Sequence, residues 1–314
     1  MPPPETPFRA GFAALLGKPN AGKSTLLNAI VGAKLAAVSA LPQTTRDKFS
    51  GIYSDDSRQI VFVDLPGLVT PDDRLNECLH SNVTEGISGV EVVIHLVDVA
   101  DKEPAGDEVV RAVASVRGPI ILVVNKIDGS HARVDAGSWA GEHLPPEMKK
   151  RYATILGVSA REKKGLDGLL SAIGAHLPEG PPLYDTDILT NRDLRYLSQE
   201  MIREKAFQFL HEELPYSTAV LIEEFTERAE GKWYIRAVVY VERDSQKGIV
   251  IGNGGATLKK ISTAARRDIE ALCGAPVYLE LFVKTREKWR RNDSDLRMFG
   301  LTPPKRGKPR KTKP

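Results

Sequence analysis

Cysteine is nearly absent from these 314 residues: only Cys78 and Cys273 occur, far apart in the chain. Two distant thiols make neither a disulfide framework nor a metal-binding spacing, and the scarcity fits a reducing compartment. No apolar run approaches the ~20 residues that cross a bilayer. The opening, MPPPETPFRAGF, lacks a basic segment followed by an apolar one, so no secretory signal is expected and a cytoplasmic protein is. The six histidines are scattered and suggest no metal cluster. Net charge is only +3, so the total points to no polyanion. The distribution says more. From Lys284 onward twelve lysines and arginines face Glu287, Asp293 and Asp295 alone. Such a basic end favours a polyanionic partner, the bland alternative being a solvated tail.

The length suggests two domains of ordinary size. In the first half, FAALLG (12–17), IVFVD (60–64), VVIHLVD (92–98), IILVVNK (120–126) and ATILGVS (153–159) read as buried strands. Helical patterns such as 23–32 and 165–176 separate or follow them. Near-continuous apolar strands alternating with helices predict an α/β domain with a mostly parallel sheet covered on both faces. LPEGPPLYDTD (177–187) breaks the pattern as a linker. Beyond it a helix near 192–213 precedes strands at 218–225 and 232–242, a helix at 256–272 and a strand at 277–283. This order predicts a smaller α+β domain. The expected boundaries are 1–180 for the first domain, 181–187 for the linker and 188–296 for the second domain. Residues 297–314 are expected to form a disordered basic tail.

GKPNAGKS matches G-x-x-x-x-G-K-[ST] at Gly17, Gly22, Lys23 and Ser24, between the first strand and a helix. Lys18, Pro19, Asn20 and Ala21 form its interior and Thr25 follows. Backbone N–H groups there can close on phosphate oxygens, with the helix dipole adding attraction. Lys23 should reach the β- and γ-phosphates and Ser24 should ligate Mg²⁺. Asp64 ends the next strand and opens DLPG, with Leu65, Pro66 and Gly67. It offers a carboxylate to Mg²⁺, while the Gly67 N–H can meet the γ-phosphate. NKID supplies Asn125, Lys126, Ile127 and Asp128. An acidic Asp128 accepts from guanine N1–H and the exocyclic amine, which adenine does not offer, so GTP is expected over ATP. Ser159 and Ala160 end the last strand, where a backbone N–H could contact guanine O6. All lie at carboxyl ends of strands, where open α/β sheets bind ligands. The pattern implies a GTPase.

A switch loop between Ser24 and Asp64 needs a hydroxyl for Mg²⁺, and Thr45 is the first choice with Thr44 second. Ras-like enzymes orient water with a glutamine after D-x-x-G. Here Leu68 stands there, so turnover is expected to be slow or to use another charge source. The Asn20 amide oxygen, with switch-loop carbonyls, is a candidate ligand for K⁺ held against the phosphates. The catalytic set is then Lys23, Thr45 and Gly67.

A second glycine loop, VIGNGG, spans 250–255 and holds Ile251, Gly252, Asn253, Gly254 and Gly255. No Lys-Ser follows it, which argues against a second triphosphate site. It fits the G-x-x-G of KH modules, which clamps about four nucleotides by their backbone. Lys259 and Lys260 on the following helix add charge. The plain alternative is a helix-entry turn.

Together GKPNAGKSTLLNAIVG, QTTRDKFSGI, VDLPG, VVNKID, SAREKKGLDGLL and SQKGIVIGNGGATLKKI resemble the Era family of bacterial GTPases from about Phe8 to Arg290. The resemblance implies a TrmE–Era-class GTPase domain and a type II KH domain. It also implies binding near the 3′ end of 16S ribosomal RNA during assembly of the small (30S) subunit. The family lacks the glutamine, in agreement with Leu68. Leu65 replaces the usual threonine of D-T-P-G, and Asn253 replaces the lysine of GKGG. For the basic tail, extra rRNA contact is expected first and a peripheral membrane surface second. A tRNA-modifying GTPase of the TrmE kind would need a further catalytic domain that these residues do not supply. An RNA chaperone that only senses nucleotide is the non-enzymatic alternative. Nothing in the sequence demands more than a monomer.

Overall fold

The computed structural model describes residues 7–39, 41, 45–68 and 71–305. In the first domain the chain runs β1 (Arg9–Leu16), α1 (Lys23–Val31), β2 (Phe49–Ser54), β3 (Arg58–Asp64), α2 (Arg74–Gly86) and β4 (Val92–Asp98). It continues through α3 (Asp107–Ser115), β5 (Ile120–Asn125), α4 (Ala136–His143), α5 (Pro146–Lys149), β6 (Tyr152–Gly157) and α6 (Leu166–Gly174). The six strands line up as β2-β3-β1-β4-β5-β6. All neighbours are parallel except β2, which pairs antiparallel with β3 at the edge. FSGIYS carries neither strict alternation nor a continuous apolar run, so β2 is not expected from the sequence and is a finding of the structure.

Alternation along each strand divides the core. Ala13 and Leu15 point to the α1 and α6 side, and Ala14 and Leu16 to the side of α2, α3 and α4. Register matters more for function. Leu15 stands opposite Asp64, Leu16 opposite His95, and Asp98 opposite Asn125. The carboxyl ends of β1, β3, β4 and β5 therefore share one rim, which is where a ligand has to meet them.

The linker is strapped down. The buried Gln59 side chain accepts from the N–H of Leu183 (2.7 Å) and Tyr184 (2.9 Å) and donates to the Tyr184 carbonyl (2.8 Å). Ile52 N–H then donates to the Leu189 carbonyl (2.8 Å). An internal polar side chain needs partners, and Gln59 finds them in this segment.

The second domain comprises α7 (Leu194–Phe209), α8 (Leu214–Ser217), β7 (Ala219–Thr226), β8 (Trp233–Val241), α9 (Asp244–Ile251), α10 (Ala256–Cys273) and β9 (Val277–Thr285). Its sheet is β7-β8-β9, antiparallel then parallel. The parallel pair requires a crossover, and α9, the second glycine loop and α10 supply it. Ile261, Ala265 and Ile269 of α10 are fully buried against Ile235, Ala237 and Val239 of β8. Leu258 and Leu272 flank that stripe. The expected helix at 192–213 stops at Phe209, before the left-handed Glu212 (φ 56°) and Pro215.

The expected disordered tail from 297 is corrected for its first part. Helix α11 (Asp293–Met298) and residues 299–305 fold back over both domains. Trp289, Leu296 and Leu301 pack with Leu75, Cys78 and Leu79 of α2 and with Ala219. Phe299 meets Trp289 edge-on at 5.1 Å. These apolar anchors were hidden among basic residues whose charge dominated the composition. Several of those bases have carboxylate partners: Lys284 with Glu223, Arg286 with Asp295, and Arg290 with Asp73 and Glu242. Residues 306–314, which hold Arg306, Lys308, Arg310, Lys311 and Lys313, lie outside the described residues. Among the described residues no helix is long and apolar enough to cross a membrane.

Candidate functional site

The first loop leaves β1 at Leu16 and enters α1 at Lys23, so residues 17–22 sit on the rim. Gly22 caps α1 in the left-handed region (φ 98°) without a side-chain cap, which leaves the first-turn N–H groups facing outward. A Cβ on Gly22 would stand 2.3 Å from Asn125 Nδ2, so glycine is required by space as well as by φ. Asn20 adopts a left-handed φ of 63° inside the loop. Pro19 packs directly on Gly67, and Lys18 pairs with Asp101 (3.1 Å) and the Glu103 carbonyl. Ala21 is buried and its carbonyl accepts from Asn125 Nδ2 (2.8 Å).

Lys23 is buried, its Nζ donating to the carbonyls of Gly17 and Lys18 at 3.0 Å each. Burial pushes its pKa down to about 8, the nearby Asp64 carboxylate opposing the shift. Its ammonium is thus held among loop carbonyls at the rim where phosphates are expected.

Three oxygens converge beside it. Ser24 Oγ donates to Asp64 Oδ2 at 2.7 Å, Thr45 Oγ1 donates to the same oxygen at 3.2 Å, and the two hydroxyls are 3.0 Å apart. Asp64 is fully buried, and desolvation raises its pKa against the pull of Lys23, Ser24 and Thr45. Its Oδ1 has no hydrogen-bond partner. A buried carboxylate oxygen without a donor, beside two hydroxyls, is the hard-oxygen donor set that suits Mg²⁺. Thr45 thus sits where the first-choice switch hydroxyl was expected; Thr44 lies outside the described residues. Thr25, Ala37, Val38, Ser39 and Gly67 complete the lining of this pocket.

Leu65 and Leu68 are buried in the core on the α2–α4 side, and Pro66 is buried too. The Leu68 N–H donates to the Gly17 carbonyl (3.3 Å), so this residue braces the loop and brings no side-chain polar group to the rim.

Asn125 fastens three segments, since its Oδ1 accepts from Ala160 N–H (3.1 Å) while its amide holds Ala21. Lys126, left-handed at φ 66°, pairs with Asp98 Oδ2 at 2.7 Å. Ile127 packs into the core and its N–H donates to the Val158 carbonyl (3.2 Å). Ser159 Oγ donates to Asp128 Oδ2 at 2.5 Å and fixes that carboxylate. The expected guanine O6 contact is not left free here. The Ser159 N–H donates to the Lys164 carbonyl (3.1 Å), and the Ala160 N–H is taken by Asn125. Local sequence gave no sign of that second bond, because it joins residues 35 positions apart.

The second loop is open. Gly252 (φ 75°) leaves no room for a side chain, as a Cβ would fall 2.4 Å from Thr257 Oγ1. Gly254 and Gly255 are left-handed at 58° and 82°, yet a Cβ on either would meet nothing within 4 Å. Gly255 begins the 18-residue α10 without a side-chain cap. Asn253, Lys259 and Lys260 are exposed around it, whereas Ile251 packs partly into the domain core. The N–H groups of Gly252, Gly255 and Ala256 donate to the carbonyls of Gly248, Gly252 and Asn253, so the result is an open, self-braced glycine shelf flanked by positive charge. Arg46 lies within QTTRDKFSGI but its partners around Thr218 lie far along the chain, and Asn82 and Glu204, which help join the domains, fall in no motif or spacing.

Comparison with known proteins agrees with both halves. The family described as "50S ribosome-binding GTPase" matches residues 12–126, and the KH domain family matches residues 213–290. GTPase Era of Thermotoga maritima is 44% identical over 287 residues, which cover 91% of this chain and 95% of that protein. GTPase Era of Geotalea uraniireducens is 41% identical over 94% of this chain and 99% of that protein. The crystal structure of an Aquifex aeolicus Era variant bound to GDP.AlF4⁻ superposes with a TM-score of 0.86 at 33% identity. Era in complex with MgGDPNP and nucleotides 1506–1542 of 16S ribosomal RNA gives 0.85 at 32% identity. Each covers 93% of this chain and 99% of the other. With a glycine loop entering α1, an Asp64-centred oxygen cluster, the Asp128 carboxylate fixed by Ser159 and a KH domain in one chain, and these likenesses over nearly all of its length, the protein belongs to the Era family of GTPases.

Proposed function

We propose that this GTPase uses GTP binding and hydrolysis to control its grip on the 3′-end region of 16S ribosomal RNA during assembly of the 30S subunit. The observation that carries the reading is the Gly252–Gly255 shelf at the uncapped start of α10. It lies in a chain 32% identical to an Era solved with MgGDPNP and 16S rRNA nucleotides. In this reading Lys23 binds the β- and γ-phosphates, the Gly67 N–H meets the γ-phosphate, and Asp128, fixed by Ser159, reads guanine. Ser24, Thr45 and Asp64 hold Mg²⁺, which supplies neutralisation of phosphate charge when bound. The shelf amides and Lys259 and Lys260 hold the RNA backbone, a geometry that favours a single strand over a duplex.

Turnover without a side chain to orient water is slow. K⁺ coordinated by Asn20 would supply the charge that an arginine supplies elsewhere. Replacing Na⁺ by K⁺ should then raise GTP turnover, and equal rates in the wild type and Asn20→Ala would remove that part of the reading. The protein acts as a monomer in the cytoplasm, a state that light scattering and cell fractionation check. The main test is affinity for an RNA oligonucleotide of the 16S 3′ end, measured with GDP and with Mg²⁺ and a non-hydrolysable GTP analogue. Nucleotide-dependent affinity supports the switch. Absence of binding in both states would sink the assignment of rRNA.

A further inference from the structure

Thr45 is held in place from the other domain. Its neighbour Arg46 is 6% exposed. Arg46 Nη1 donates to the Thr218 carbonyl at 2.7 Å, and Nη2 donates to the carbonyls of Pro215 (3.3 Å) and Tyr216 (3.2 Å) around the end of α8. The guanidinium lies over the rings of Phe207 and Trp289, 5.4 and 5.6 Å from their centres. On the GTPase side, Asn82 Nδ2 of α2 donates to the Arg46 carbonyl at 3.3 Å. Last-turn helix carbonyls lack partners inside the helix, and a guanidinium that leaves water needs acceptors. Both terminal nitrogens of Arg46 find acceptors there, although its Nε has no hydrogen-bond partner, so the side chain is seated by these three carbonyls.

A second anchor lies on the other side of the phosphate pocket. Val38, which lines that pocket, donates its N–H to Glu204 Oε2 of α7 at 3.0 Å. Glu204 is 2% exposed, and its Oε1 accepts from Lys34 (2.8 Å) and Lys205 (3.1 Å). Both lysines also reach Asp268 Oδ2 at 2.7 Å. Asp268 belongs to α10, the helix that begins at the second glycine loop. A continuous set of hydrogen bonds and ion pairs thus runs from the helix under the RNA shelf to the wall of the triphosphate pocket.

We propose that Arg46 and Glu204 are positioning residues through which the RNA-binding domain seats Thr45 and Val38 at the phosphate pocket, and that this contact links nucleotide state to RNA grip. The inference rests on the switch reading above and names its physical carrier. Linkage makes the coupling reciprocal: whatever RNA does to GTP affinity, GTP does to RNA affinity by the same factor. Ordinary interdomain glue would behave differently. Its loss would lower stability and leave the ratio of GTP-analogue to GDP affinity unchanged.

The experiment uses the full chain with GDP, with Mg²⁺ plus a non-hydrolysable GTP analogue, and with an RNA oligonucleotide of the 16S 3′ end. Arg46→Ala removes three hydrogen bonds, and the isosteric Glu204→Gln changes the second anchor with least disturbance of the fold. In the wild type the RNA affinities in the two nucleotide states should differ by a factor on the order of 5- to 150-fold. In each variant that factor should fall toward one. Analogue affinity should drop roughly tenfold while GDP affinity holds within about twofold, since Thr45 serves the γ-phosphate state. Wild-type coupling that survives unchanged in both variants overturns this inference alone. A wild type whose RNA affinity ignores the nucleotide overturns the switch reading and this inference with it. Should Arg46→Ala fail to fold, Glu204→Gln decides by the same ratios.

Discussion

Both glycine loops start a helix on a left-handed glycine with no side-chain cap, Gly22 for α1 and Gly255 for α10. Around them the two differ completely. A methyl on Gly22 would strike the Asn125 amide at 2.3 Å, and Lys23 beside it is buried. Methyls on Gly254 or Gly255 would touch nothing, and the lysines that follow stand in solvent. The local device is the same, helix N–H groups bared toward phosphate. Enclosure decides what it can hold. A tight cage fits one compact triphosphate with its metal, and an open shelf fits a strand that enters and leaves.

The strongest way to break this contrast is Gly22→Ala. It adds a clash and a left-handed alanine, so GTP affinity should fall by at least about 100-fold, which is near the upper end of single-site backbone strain. Nucleotide titration checks this, and near-normal affinity would mean that the cage is not tight. Next, Asp128→Asn removes a charged acceptor from the guanine side. Preference for GTP over ATP should fall by about 1.5–3 kcal/mol, read from competition binding.

On the open loop, Gly254→Asp sharpens the comparison, because aspartate tolerates a left-handed φ and meets no neighbour there. The fold and basal GTP turnover should persist while affinity for the 16S 3′-end oligonucleotide drops about tenfold through charge repulsion. Replacing Lys259 and Lys260 by alanine should flatten the salt dependence of that binding by about 0.7 in log–log slope per lysine. An unchanged slope would remove both from the interface.

The smallest effect concerns His95, buried below the first loop and hydrogen-bonded to Tyr152 Oη at 2.7 Å. Burial, with Lys23 nearby, pushes its pKa down to about 3 from 6.5. Between those values the unfolded chain takes up a proton that the folded one refuses. Its stabilising contribution is therefore present above pH 6.5 and lost as pH falls toward 3. Chemical denaturation should show about 1 kcal/mol lost between pH 7 and pH 5.5 from this residue. His95→Gln should flatten that segment of the profile.

Motif and period carried most of the first domain and the KH unit. Gly17–Ser24, Asp64 and Asp128 were legible because their spacing along the chain is fixed by strand-end geometry. The α10 stripe was legible because Ile261, Ala265 and Ile269 repeat at helical spacing. Edge strand β2 was not, since pairing on one side alone leaves a weak pattern. The ordered stretch from Phe299 to Lys305 was hidden too, because only its landing site on Trp289 and α2 gives Phe299 and Leu301 a reason to order.

By itself the sequence determined the chemistry each loop can perform, because bare amides, one lysine, two hydroxyls and a carboxylate act over a few residues at set intervals. Only the tertiary structure decided who speaks to whom. Asn125 closes off the Ala160 N–H, Arg46 reaches 172 residues along the chain to Thr218, and Glu204 lies 166 residues from Val38. Contacts at such separations are set by how the packed domains fall against one another, and no spacing rule along the chain encodes them.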